Sequence, residues 1–327
     1  MQRRRHLATQ GWGGGAEAAC DMAVAFDGPR LLSVTRVVAC EVYYVDNTDW
    51  MTALFDWLVD PNPVAVPDQM PDYVFRYIGS GGLLLTANNR ELRLNAWSQM
   101  NDARESKQWQ PSGTLVAAGT YTTAEMYTRI DDVLRRGARL LALTTDRLPV
   151  AGTDPDSLFH RGCGRAPLWA HYGHQHEGVC LVLDPLAIIE AVDELPPKTT
   201  RYRTWGRVNY VDEPIRIDLA GTFHDQSALE NLLGTRWAMS GLHMTKNTDW
   251  AYETELRIAV AEIGLPADEL DTPLMVPLGD ALKAVVFGDA HPNPNDVADE
   301  VRGALHVEPE FYQCVWTNGA PKLRALP

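Results

Sequence analysis

Apolar and polar residues alternate through Tyr73-Val74-Phe75-Arg76-Tyr77-Ile78, a pattern that predicts a strand. Gly79-Ser80-Gly81-Gly82 then turns the chain into a short apolar helix. Alternation returns in Glu91-Leu92-Arg93-Leu94-Asn95-Ala96-Trp97, and Met100-Asn101-Asp102-Ala103 closes that unit as a loop. The 3.6-residue period takes over from Thr122 to Arg136, with Met126, Ile130, Val133 and Leu134 inward and Gly137 as the stop. Leu140 to Thr145 predicts a strand entering a long loop. Leu168 to His176 is helix-like, and the apolar run from Val179 to Leu183 is a buried strand. Further on, Pro185–Val192 predicts a helix, Val208–Val211 a short strand and Ser227–Met244 a helix. Strands are expected at Glu255–Val260, Ala284–Gly288 and Phe311–Val315, and a last helix at Pro294–Leu305.

Upstream, residues 24–45 alternate and predict one or two strands, with Val37-Val38-Ala39-Cys40 the part expected to be most buried. Thr48 or Asp49 can cap a helix running to Val59. Prolines at 61, 63, 67 and 71 remove backbone donors and mark a linker. The expected organisation is therefore an extension over residues 1–71 and a main domain over 72–327. Residues 1–21 carry a charged head without an apolar run and are set aside from the fold. The order of elements is mixed, without regular β-α-β alternation. An α+β fold follows, a mixed sheet core with flanking helices.

Composition narrows the function. The chain carries 29 Lys and Arg against 43 Asp and Glu, a net charge of −14 that weighs against a general nucleic-acid binder. Five scattered cysteines without a Cys-x-x-Cys pair indicate neither a disulfide framework nor a zinc ribbon and fit a cytoplasmic protein. No stretch is long and apolar enough to span a membrane.

Two dense stretches carry the candidate chemistry: Leu168–Asp184 and Lys246–Arg257. In the first, His171 and His174 would share a helix face with His176 just beyond, yet the spacing matches no standard zinc pattern. In the second, Glu253 and Glu255 lie two apart. In an extended segment that spacing sends both carboxylates into one space, suited to general-base work or to stabilising a developing cation. Lys246 and Arg257 are their nearest cationic partners, and the alternative is a solvated salt-bridge set. Arg76, if inward, needs an anionic partner; if outward, it separates two core aromatics. Trp169, Tyr172, Trp250 and Tyr252 are flat groups able to stack on a base or nicotinamide, although each alone reads as core. The Gly79–Gly82 run lacks the residues of a P-loop, so turn geometry accounts for it.

Taken in order, these motifs resemble a bacterial family of domains of unknown function, the one numbered 2971. The resemblance rests on Tyr77 with the glycine turn, Asn101-Asp102, Trp169-Ala170-His171-Tyr172 with His176–Cys180, Val208-Asn209-Tyr210, Trp250–Arg257 and Val285–Gly288. It covers residues 72–290. Met100-Asn101-Asp102-Ala103 stands where the family has Phe-Asn-Asp-Pro, and Leu143-Thr144-Thr145-Asp146 where it has Cys-Phe-Ser-Glu. The layout also resembles an ADP-ribosyltransferase-type domain. That second resemblance implies NAD as a consumed substrate, an acceptor that is protein or nucleic acid, and a toxin or phage-defence setting. Under it Arg76 would contact the phosphates or ribose, Thr144 and Thr145 supply the hydroxyl motif, and Tyr172 stack on nicotinamide. Glu255, with Glu253, would hydrogen-bond the ribose hydroxyl.

The expected catalytic residues are thus Glu255 and Glu253. The expected cofactor-binding set is Arg76, Tyr77, Thr144, Thr145, Trp169 and His171, together with Tyr172, Lys246, Trp250 and Tyr252. No metal is expected. The alternative is a non-catalytic binding protein in which Glu253, Glu255, Arg76 and Lys246 form a structural ion network. A metal-dependent hydrolase using His171, His174 and His176 is the third reading.

Overall fold

The computed structural model describes residues 23–27, 30–35, 70–108, 115–117, 122–149, 154, 157–213, 221–223, 242–306 and 308–327. The Val37–Cys40 part of the strands expected over residues 24–45, the helix from Thr48, nearly all of the proline linker and most of the Ser227–Met244 helix lie outside the described residues. The chain divides into two compact units, residues 1–53 and 54–327. In the first, β1 (Ala23–Asp27) and β2 (Arg30–Thr35) form an antiparallel hairpin.

The second unit is α+β. Its strands are β3 (Val74–Ile78), β4 (Glu91–Ala96), β5 (Leu115–Ala117), β6 (Ala138–Thr144), β7 (Val179–Leu183), β8 (Thr200–Arg207), β9 (Asn209–Tyr210) and β10 (Gly221–Phe223). After these come β11 (Thr245–Lys246), β12 (Glu255–Ile263), β13 (Leu274–Pro277), β14 (Leu282–Phe287), β15 (Glu310–Thr317) and β16 (Ala320–Ala325). Helices are α1 (Ser80–Asn89), α2 (Ala103–Ser106), α3 (Thr123–Asp131), α4 (Ala166–His171), α5 (Pro185–Glu194) and α6 (Pro294–Ala304).

Ten strands form one mixed sheet in the order β13-β4-β6-β3-β7-β14-β15-β16, with β12 on the other side of β6 and β8 beyond it. Neighbours are antiparallel except β14 and β15, which run parallel. The apolar faces of α1, α5 and α6 bring Leu83, Ile188 and Val301 onto Leu181, Leu183, Val285 and Phe287 in the largest core cluster. Burying each such side chain is worth about 2 kcal/mol. All nine residues of β12 are buried, because β6 and β8 flank it and side chains cover both faces.

One irregularity of this sheet matters for function. β6 takes β4 as partner at its start, with Asn95 opposite Leu140, and β3 at its end, with Phe75 opposite Thr144. The two partners occupy the same edge of β6 in succession and so diverge from each other. A wedge opens where they part.

Candidate active site

A cavity of about 250 Å³ fills that wedge. Its walls are Phe75 to Ile78 of β3, Asn95 of β4, and Leu140 and Ala142–Thr144 of β6. Asn101, Asp102 and Glu105 close one side, and Tyr172, Lys246, Trp250, Glu253 and Glu255 close another. The two dense stretches of the sequence meet here.

Their meeting depends on a turn. Thr248–Glu253 is a 3-10 turn, and Thr254 closes it at φ 45°, in the left-handed region that a β-branched residue rarely adopts. Glu253 and Glu255 do reach one space, but strand alternation is not the reason, since Glu253 precedes β12. The left-handed Thr254 turns both carboxylates onto Lys246. Thr254 is held by its neighbour across the sheet: its hydroxyl donates to Thr145 O at 2.9 Å, and the Thr145 hydroxyl donates to Thr254 O at 2.9 Å.

The carboxylates belong to a buried ion network. Lys246 Nζ donates to Glu253 Oε2 at 2.6 Å and to Glu255 Oε2 at 3.3 Å. Arg257, fully buried, donates through Nε to Glu255 Oε1 at 2.7 Å and through Nη2 to Glu255 Oε2 at 3.1 Å and to Glu105. Its Nη1 donates to His243 O at 2.7 Å. Tyr172 donates its phenolic hydrogen to Glu253 Oε1 at 2.5 Å, and the Glu255 amide donates to the Tyr210 hydroxyl at 2.8 Å. Lys246 also stands 4.8 Å over the Trp250 ring.

The surroundings split the two glutamates. Burial pushes Glu255 up, but Arg257 and then Lys246 pull harder, so its carboxyl sits below the ordinary value of 4.5. Burial pushes Glu253 up as well; Lys246 opposes it, Glu255 repels, and the carboxyl stays above that value. Glu105 is likewise raised, first by burial, against the pull of Arg257. Lys246 would lose its proton more readily on burial alone, yet Glu255 and Glu253 hold it as an ammonium ion. A carboxylate offers about four acceptor sites. Glu255 meets three donor contacts and Glu253 two. Glu253 is the carboxylate able to change its proton and its partners.

Arg76 faces the same cavity from the opposite strand. Its Nη1 donates to Arg93 O on β4 at 2.9 Å, and among the described residues no carboxylate lies within ion-pair distance. Loss of surrounding water, then the charge of Arg93, lowers its pKa to about 10. The expected ion network therefore forms without Arg76; Arg257 and Glu105 take its place.

The remaining expected residues divide. Tyr77 lines the cavity and donates to Gly162 O at 2.6 Å, and Thr144 lines it from β6. Trp169 is wholly buried, with its Nε1 donating to Cys163 O at 2.9 Å and its ring edge-on to Tyr77, so it is core beneath the site. Thr145 is buried in the clasp with Thr254. His171 is exposed with its ring 6.0 Å from that of Tyr252, and neither lines the cavity.

The histidine helix is corrected. α4 stops at His171, and His174, Gln175 and His176 follow with φ of 47°, 54° and 73°. The Gly178 amide closes this turn onto Gly173 O at 2.9 Å. His174 lies against Gly79 while His176 stacks on Trp169, so the three rings diverge. Among the described residues no three His, Cys, Asp or Glu side chains converge as metal ligands.

Sequence reasoning passed over Glu105 and Asp102 as site residues and named Arg257 only as a partner. Asn101-Asp102 stood out only as a family motif. Asp102 caps α2 by accepting from the Arg104 amide at 2.9 Å, and that cap sets Glu105 one turn later against Arg257. The signal was the Asp-Ala-Arg-Glu spacing, an N-cap with an acid three residues on.

Residues 168–258 match the family described as Protein of unknown function (DUF2971). The matched segment holds Tyr172, Lys246, Trp250, Glu253, Glu255 and Arg257, whereas Arg76, Glu105 and Thr144 lie before it. No curated protein and no solved structure matches the chain. Among the described residues no helix is long and apolar enough to cross a membrane.

Proposed function

We propose that the wedge between β3 and β4 binds a nucleotide and cleaves the nicotinamide–ribose bond of NAD, in the manner of ADP-ribosyltransferase-type domains. The observation that carries this reading is the placement of Arg76, a cation without a carboxylate partner among the described residues, on the same cavity as Glu253 and Glu255. A guanidinium in that state suits an anionic ligand. Tyr77, Tyr172 and Trp250 supply flat surfaces beside it. In the reaction the C–N bond breaks, its electron pair leaves with nicotinamide, and positive charge develops on the ribose. Glu255, held ionised by Arg257 and Lys246, stabilises that charge without reorganising. An acceptor hydroxyl or water then attacks the ribose carbon and gives its proton to Glu253, whose raised affinity suits that role.

A second reading has its own support. Glu255 is buried with both oxygens engaged, as in a network that serves structure alone. In that case the cavity binds a ligand without chemistry. NAD-induced thermal shift, with nicotinamide release followed in the same samples, separates the two. Stabilisation and release, both weakened in Arg76→Ala, support the enzyme; stabilisation without release supports the binder. An unchanged melting temperature and no release would reject nucleotide binding.

A further inference from the structure

A second group of cations lies beside the Thr145–Thr254 clasp, and none of its members lines the cavity. Arg207 on β8 donates through Nη1 to Thr145 Oγ1 at 2.7 Å. Arg165, at the start of α4, donates through Nη1 to Glu253 O at 3.2 Å and to Thr254 Oγ1. Arg147, in the loop after β6, donates through Nη2 to Tyr252 O at 3.0 Å. The three guanidinium groups are thus tied to one stretch of chain, Tyr252 to Thr254, and to the threonine that clasps it.

Among the described residues no carboxylate lies within ion-pair distance of any of the three. The nearest acids are already engaged: Asp146 pairs with Arg161 at 2.9 Å and accepts the Gly162 amide at 2.7 Å, and Glu253 is held by Lys246 and Tyr172. Arg165 is only 4% exposed, and its Nη2 has no hydrogen-bond partner among the described residues. Burial, then the charge of Arg147, lowers the Arg165 pKa to about 10. A protein with net charge −14 has acids to spare, yet among the described residues none pairs with these three arginines. Buried or crowded guanidinium groups are stable when an oxyanion completes their bonds.

We infer that Arg147, Arg165 and Arg207 form an oxyanion site for a phosphate group, next to the Glu253–Glu255 turn and distinct from the cavity. Arg207 and Arg147 are half-buried and exposed, and they offer the donors that a phosphate reaches, while Arg165 supplies fixed positive charge behind them. The phosphate comes either as a free anion or as part of a nucleotide that also enters the cavity. The site does not depend on nucleotide chemistry in the wedge.

Titration calorimetry with pyrophosphate at low ionic strength, on the full chain, tests this. Arg165 also holds the Glu253–Thr254 backbone, so the informative variant is Arg147→Gln with Arg207→Gln. Saturable binding by the wild type, weakened about tenfold or more in the folded double variant and unchanged in Arg76→Ala, is the expected result. Absence of saturable binding would overturn the site, as would a double variant that binds like wild type or loss of binding in Arg76→Ala. A parallel titration with ADP-ribose separates the two sources. Weakening by both the double variant and Arg76→Ala means that one ligand spans cavity and arginine site; weakening by Arg76→Ala alone leaves the arginine site to a free phosphate.

Discussion

Arg257 donates to Glu255 across 2.7 Å inside the middle of the sheet, and both side chains are closed to solvent. Arg257 also pairs with Glu105, so one guanidinium bridges two buried acids. Replacing it with an apolar group of similar length strands Glu105 and leaves Glu255 to Lys246 alone. Arg257→Met is expected to lower stability by about 3–5 kcal/mol, measured by urea denaturation. Glu105→Gln, which keeps the shape and one hydrogen bond, should cost far less.

Gly162 lies against the ring of Phe75, which lines the cavity from β3. A Cβ there would come within 2.1 Å of Phe75 Cδ2. The ring is buried and must be forced out of its packing, so Gly162→Ala is expected to lower stability by about 1–3 kcal/mol. The displaced ring should also disturb the cavity wall. Melting curves with and without NAD check both effects.

The two glutamates respond to pH in opposite directions. Glu253 binds its proton more tightly folded than unfolded, so its contribution is present below the ordinary value of 4.5 and is lost as pH rises through the higher folded value. Glu255 binds its proton less tightly folded, so its contribution is present above 4.5 and is lost as pH falls. Wild type should therefore lose stability relative to Glu253→Gln as pH climbs from 4.5 toward neutrality. Melting temperatures of the pair across that range give the slope, and parallel curves would contradict the assignment.

Most of the sheet was legible because its strands are apolar runs or clean alternations. β3, β7, β12, β14 and β15 lie where the pattern puts them, to within a few residues. β8 was not, because Thr-Arg-Tyr-Arg-Thr-Trp-Gly-Arg reads as polar; its strand state comes from pairing with β12 rather than from its own pattern. β16 was hidden by Pro321 and its charges, which suit an edge. The site was half legible. Lys246, Glu253 and Glu255 are close in sequence and could be read together. Glu105 lies 152 residues from Arg257, and nothing local announces that pair. The left-handed Thr254 and the turn from His174 to His176 come from tertiary bonds that override helix and strand propensity.

Nicotinamide release from NAD by the purified chain, wild type beside Glu253→Gln and Glu255→Gln, tests the proposed chemistry most directly. Release by wild type, with a loss of about 10²-fold or more in folded Glu253→Gln and in Glu255→Gln, is expected. Release that persists in both variants, or no release in the presence of protein and nucleic-acid acceptors, would contradict it.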